Sequence, residues 1–325
     1  MKQFLKYFFR FLVLLIVGFV VFYFWASSST LNKEEYAKII IKESISDEKK
    51  DSVFSIMTYN IGYLSGMTNN LPVAKPKSLF DENLNKVRVE TKKINPDIIA
   101  FQEIDFDASR SYHINQEDEI ANLGYKYIAR TINWDERYLP FPYWPIHLQF
   151  GKVISGQSVI SKYALKDQER IVLQRVANSP FYRDAFYLER LAQVVKVTVN
   201  KTEIVVINVH LEAFDKPTRV KQFNEVVAIF NKYKNQYPTI LLGDFNSRAR
   251  DKTAAIQKIF KMPNVGVADF NIDRIENTFN SKNPFERIDY IFYTKNAIEY
   301  VSGKVLNEFG EASDHLPVYM NFKLK

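Results

Sequence analysis

No cysteine occurs among the 325 residues of this chain. Disulfides, thiolate zinc sites, iron–sulfur clusters and cysteine nucleophiles are thereby excluded. A lipoprotein anchor is excluded as well, because it needs a cysteine to carry its lipid. Histidine is scarce too, with four copies, so any imidazole chemistry rests on few positions. The first ten residues hold no acid, only the bases Lys2, Lys6 and Arg10, and residues 11–26 (FLVLLIVGFVVFYFWA) hold no charge at all. No short-period repeat is present.

What is there supports a folded chain. Hydrophobic residues make up 46% and charged residues 25%, enough for one large domain or two modest ones and unlike a disordered polymer. The formal net charge is +7, which weakly favours anionic partners such as nucleic acid, phospholipid headgroups or phosphate esters. An ordinary basic surface explains the same excess equally well.

The uncharged stretch sits between two roles. A spanning helix needs roughly 20 apolar residues, and this run is short for an anchor and long for a signal-peptide core. Tyr23 and Trp25 fall where an interfacial aromatic belt would lie. Ala26 to Ser29 offers small residues that a signal peptidase accepts. Run length favours an uncleaved transmembrane helix. The basic start then stays in the cytoplasm and the rest faces outward, in the cell membrane or, if cleaved, secreted. The expected division is a basic N-terminus at 1–10, an anchor or signal helix at 11–26, a serine-rich tether at 27–52 with room for one short helix, and a globular domain at 53–325.

From Val53 onward strands and helices alternate. SVFSIMTYNI reads as a first strand. Phe80, Leu84, Val87 and Ile94 recur at helical spacing, and Pro96 ends that helix. DIIAFQEI follows as a short buried strand. KVISGQSVIS, AQVVKVTV, EIVVINVHL, TILLGDFN, RIDYIFYT and LPVYMNFKL are further strands. A second amphipathic helix covers about 218–233. The segment Arg137 to Phe150 (RYLPFPYWPIHLQF) is too rich in proline for a helix or a central strand. It is a loop whose aromatics pack on the core, or a semi-rigid flap for an apolar or stacking substrate.

Six polar clusters, each ending an apolar stretch, carry the chemistry: TYNI (58–61), FQE (101–103), NVHLE (208–212), GDFN (243–246), RIDYIF (287–292) and SDHLPV (313–318). Oxygen ligands together with histidine suit a hard divalent cation and a phosphate. Glu103 at a strand end is a ligand or a solvated acid; Asn60 is a ligand or a turn former. Asp244 and Asn246 are two apart, hence on one side of an extended chain. His210 and His315 are the two histidines inside clusters, and histidine works as acid or base when a carboxylate orients its ring. Asp289 is a candidate orienter, or a strand-end acid paired with Arg287. His113 and His147 lack such company.

These motifs, GDFN and SDHLPV above all, resemble the endonuclease/exonuclease/phosphatase superfamily over Thr58 to Val318. The resemblance implies an α/β (α+β) fold, a four-layer αββα sandwich of two mainly antiparallel sheets, here preceded by an N-terminal transmembrane helix. It implies a Mg2+ cofactor, with Mn2+ as the alternative, held by Glu103, Asn60 and Asp314. Asp244 resembles the acid that activates water, Asn246 the amide that holds the phosphate, and Asp289 the orienter of His315. His210 and His315 resemble the pair that contacts the scissile phosphate. Gln157 stands where many relatives carry asparagine, and Arg190 where they often carry arginine, so both are candidate substrate contacts. Arg190 could instead pair with Glu189 or another acid.

The implied reaction is in-line attack of water on a phosphodiester or phosphomonoester, with the diester favoured. The substrate is a lipid headgroup, a nucleotide or a nucleic acid. An extracytoplasmic nuclease on DNA or RNA and an inactive anchored binding module are the competing readings. The membrane is the expected partner through the N-terminal helix, and no protein partner is implied.

Overall fold

The computed structural model describes residues 1–43 and 52–325. Helix α1 (Lys2–Ala26) precedes β1 (Ala37–Ile41), β2 (Phe54–Asn60), α2 (Lys77–Ile94) and β3 (Ile98–Asp105). Then come α3 (Gln116–Ala121), β4 (Tyr127–Leu139), β5 (Gly151–Ser161), β6 (Leu165–Val172), α4 (Phe181–Asp184), β7 (Leu191–Val199) and β8 (Thr202–His210). The chain closes with α5 (Lys216–Tyr233), β9 (Thr239–Asp244), α6 (Gln257–Phe260), β10 (Val265–Val267), β11 (Asp289–Thr294), β12 (Ile298–Val305) and β13 (Val318–Leu324).

The strands form two sheets. One has the order β1-β4-β5-β3-β2-β13-β12 and the other β10-β11-β9-β8-β7-β6. Each holds one parallel pair, β2/β3 and β8/β9, and all other pairings are antiparallel. Each parallel pair needs a crossover, which α2 and α5 supply. Alternation along the strands divides the side chains. Ile56, Ala100, Val206 and Leu242 fill the space between the sheets. Met57 and Phe101 turn outward onto α2, through Phe80, Leu84 and Val87, while Val205 and Leu241 turn onto α5, through Phe223, Val226 and Phe230. The result is the expected four-layer sandwich.

Local signals close the helices where the sequence places them. Asn95 ends α2 in the left-handed region, just before Pro96. Asp215 caps α5 by accepting from the Thr218 N–H at 2.8 Å. Two expectations change. The segment 27–52 contains strand β1, which pairs with β4, and a one-turn 3₁₀ helix at Lys33–Glu35; its part from 44 to 51 lies outside the described residues. Arg137 to Leu139 belongs to β4, so the proline-rich loop begins at Pro140, and within it Phe150 is buried on Leu139 and Val153 while Tyr143 and Trp144 stay exposed.

Candidate active site

The same alternation that fills the core aims polar side chains at one rim. Residues 56, 206 and 242 face inward, so Asn60, His210 and Asp244 do too, each at the C-terminal end of its strand. Asp289 opens β11 directly opposite Asp244. Val318 pairs with Thr58, which brings the SDH turn beside the end of β2. In β3 a bulge after Phe101 lets Gln102 stay inward and turns Glu103 to the rim, with Glu103 at a φ of 52°. A non-glycine residue in that region carries strain, which is a mark of functional positions.

Ser313 stitches the two sides together. Its hydroxyl donates to the Asn60 carbonyl at 2.8 Å and accepts from the His315 N–H at 3.1 Å. Gly62 makes the close approach possible: a Cβ there would lie 2.8 Å from both Asp314 Oδ1 and Ser313 Oγ.

A continuous polar chain crosses the site. Asn60 Nδ2 donates to Asp244 Oδ2 at 3.1 Å. His210 Nε2 lies 3.6 Å from both Glu103 Oε1 and Asp244 Oδ2. Asn69 Nδ2 donates to Glu103 Oε2 at 2.9 Å and sits 3.2 Å from Asp314 Oδ1, so one amide draws the two acids together. His315 Nδ1 pairs with Asp289 Oδ2 at 3.0 Å, and its Nε2 faces Asp244 Oδ2 at 3.9 Å. Arg287 is buried and donates to the Asp289 backbone carbonyl at 2.7 Å. The Asp289 carboxylate is therefore left for the histidine and does not pair with Arg287.

The two histidines are in opposite states. Burial, then the Arg190 guanidinium beside it, holds His210 well below its ordinary value, so it is neutral. Burial opposes protonation of His315 too, but Asp289 and Asp244 outweigh it and hold His315 well above its ordinary value. Burial, then Asp289, pushes Asp244 up to about 7. Burial, with Glu103 adding to it, also raises Asp314.

Four carboxylates thus crowd one rim, those of Asp244 and Asp289 buried and those of Glu103 and Asp314 partly so. Asp289 Oδ1 has no hydrogen-bond partner. Ligand atoms of Asp244, Asp289 and His315 lie within 4.8 Å of one another and could hold a metal ion. The His315–Asp289 hydrogen bond already accounts for part of that closeness. Either way, a cluster of oxygen donors, with Asp244 and Asp314 raised chiefly by burial, is the donor set a hard divalent cation requires, and the residues fit one.

Two site expectations need revising, and a third, Arg190, takes its alternative. Gln157 is buried between the sheets and donates to the Asn208 carbonyl at 3.1 Å, so it does not reach a substrate. It belongs to a floor of amides in which Gln102 donates to Asn208 Oδ1 and Asn208 to Gln193 Oε1. Asn246 has its amide committed to Leu211 O at 2.9 Å and Asp244 Oδ2 at 3.2 Å. It therefore braces Asp244 and offers no spare N–H to a phosphate; its φ of 47° also shows that the two do not share an extended strand. Arg190 is buried against His210 Nε2 at 2.6 Å and Glu212 at 3.6 Å, while Glu189 pairs with Arg170. Tyr187, whose hydroxyl donates to Glu212 at 2.9 Å, and Asn69 complete the site, and nothing in the sequence pattern singled them out.

A family model described as endonuclease/exonuclease/phosphatase matches residues 57–315. The chain belongs to that family. Its members are divalent-metal dependent, and this chain is a hydrolase of phosphoester bonds. Among solved structures it resembles an endonuclease/exonuclease/phosphatase from Beutenbergia cavernae DSM 12333, with a TM-score of 0.61 and 21% identity over 84% of this chain and 72% of that one. It resembles the human Nocturnin catalytic domain with bound sulfate, at TM-score 0.58 and 19% identity over 91% of this chain and 100% of that one. It also resembles a humanized D. rerio TDP2, at TM-score 0.59 and 16% identity over 84% and 100% of the two chains. These likenesses establish the fold. No curated protein matches the chain.

Proposed function

We propose that this protein is a membrane-anchored, Mg2+-dependent phosphodiesterase that hydrolyses its substrate by in-line attack of water. One observation carries the reading: His210, His315, Asp244 and the acids Glu103 and Asp314 meet at a single rim, in a continuous chain through Asn69 whose links are all within 4 Å. Glu103 and Asp314, already drawn together by Asn69, would hold the metal with the Asn60 amide oxygen beside them. Once bound, the metal supplies Lewis-acid stabilisation of negative charge on the phosphoryl oxygens.

The chain's own groups do the rest. Asp244, braced by Asn60 and Asn246, takes the proton of the attacking water. His315, polarised by Asp289, donates from Nε2 to an oxygen of the phosphate. His210 accepts from Arg190 and lies between it and the acids Glu103 and Asp244, and Arg190 adds a fixed positive charge next to it. Helix α1 is 25 residues long and apolar enough to cross a membrane, and its exposed faces support the anchor. The test is a substrate panel (a soluble diester, a phosphomonoester, DNA and phospholipid vesicles) with and without chelator. Chelator-sensitive diester cleavage is expected, and a phosphomonoester as the preferred substrate would refute the diesterase reading.

A further inference from the structure

Helix α1 does not hang from the catalytic domain on a loose tether. Its last turns are packed into it. Tyr23 stacks edge-on against Phe181 and Phe186 and donates its hydroxyl to the Phe181 carbonyl at 3.2 Å. Phe22 and Trp25 pack on Tyr138. Asp135 accepts from the Thr30 and Leu31 N–H groups at 2.9 Å each, and Arg137 donates to Ser28 Oγ at 3.0 Å. Strand β1 then enters the sheet against β4.

Topology says which face this is. Both β3 and β4 run antiparallel to β5, so β4 ends at the edge where β3 delivers Glu103. Leu191 pairs with His210, so β7 begins at that same edge, and the segment before it, with Phe181 and Phe186, lies there too. The anchor is therefore docked on the edge into which the active site opens. Residues 1–22 are all exposed, leaving the domain from that edge.

The large apolar side chains that remain exposed outside α1 concentrate on loops of this edge. Tyr143, Trp144 (77% exposed) and Ile146 follow β4, Phe181 (75%) precedes β7, Phe214 (77%) follows β8, and Phe285 precedes β11. Exposed apolar side chains gathered on one edge of a folded domain mark a candidate contact surface. A cleft of about 250 Å³, lined by Asn178, Arg183, Tyr187, Glu212 and Phe214, opens on this rim, and behind its wall Tyr187 and Glu212 contact Arg190, which bonds His210. A helix of 25 residues is about 38 Å long, against about 30 Å for a bilayer core. Its Tyr23 and Trp25 thus fall at headgroup depth, level with the rings docked on them.

We infer that the site-bearing edge seats on the bilayer that α1 crosses, and that the substrate class is a phospholipid, its phosphodiester drawn from the membrane surface to the rim where His210, Asp244 and His315 meet while its chains stay among the exposed aromatics. This rests on the diesterase reading above for the chemistry and on the docked anchor for the geometry. The prolines at 140, 142 and 145 keep the Trp144 loop stiff, so little order is lost when it touches lipid.

The test uses the full chain in vesicles of phosphatidylcholine with a minor fraction of phosphatidylglycerol. A chain carrying Trp25→Phe and Trp134→Phe reports from Trp144 alone, and one carrying Trp134→Phe and Trp144→Phe reports from Trp25. Lipids with a quencher near the headgroup should quench both. Tyr143→Ser with Trp144→Ser should lower headgroup release from the vesicles by about tenfold or more and leave turnover of soluble bis(p-nitrophenyl) phosphate unchanged. Quenching of Trp25 without Trp144 would overturn the seat while keeping the anchor. Cleavage of single-stranded DNA that falls in the same double variant, with vesicles untouched, would overturn it in favour of a base-stacking rim. Loss of soluble-diester turnover in the unmodified chain would strike the diesterase reading instead, and the quenching readout would still decide the seat.

Discussion

Asp289 matters through what it does to His315. The carboxylate sits 3.0 Å from Nδ1 and, with Asp244, keeps the ring protonated despite burial. His315→Ala should leave the fold intact and lower turnover about a hundredfold or more, read from steady-state kinetics of the purified variant. Asp289→Asn gives a finer test. In the proposed mechanism activity needs the protonated ring and is lost as pH rises through its pKa. Removing the neighbouring negative charge lowers that pKa, so the alkaline limb of the kcat/KM profile should move to lower pH. An unmoved limb would separate Asp289 from His315. Glu103→Ala should raise the Mg2+ concentration needed for half-maximal activity, and an unchanged titration would remove Glu103 from the metal site. At this scale the sequence exposes residues that interrupt an apolar alternation, as Asp244 and His210 do. It hides Asn69, which sits in a loop with no period to break, and it misleads at Gln157, whose extra methylene carries the amide across to the Asn208 carbonyl.

Elements decide whether those residues meet. The close pass of β9 against β8 depends on Gly243, where φ is 135° and a Cβ would lie 2.0 Å from the Val209 carbonyl oxygen. Gly243→Ala should cost at least about 2 kcal/mol and misplace Asp244 next to it, giving a lower melting temperature together with lower turnover. A variant with wild-type melting would show that β8 and β9 tolerate a wider gap. Most core strands and both crossover helices are legible because each repeats its apolar period and ends at a proline, a cap or a polar cluster, but β4, the longest strand at 13 residues (YIARTINWDERYL), carries too many polar and charged residues to show one. Strand β1 is not: its five residues, AKIII, follow a charged stretch and owe their conformation to β4, a partner far away in sequence. The bulge in β3 is likewise invisible, since FQE reads as plain alternation until Gln102 finds Asn208 across the core.

For the whole molecule, α1 docks on the site-bearing edge, which under the proposed membrane seat gives the site a fixed approach to its substrate. The sequence shows the apolar run and the family motifs separately. What joins them is tertiary: Asp135, Arg137 and Tyr138 near the end of β4 collecting Ser28, Thr30, Leu31 and Trp25. The most direct test of the central claim is turnover of a soluble phosphodiester by the full chain, first with chelator and then with Mg2+ restored. Convergence of these acids and histidines on one cation-dependent pocket predicts that the chelator abolishes turnover and that Mg2+ brings it back. Diester hydrolysis that continues at full rate in chelator would contradict it.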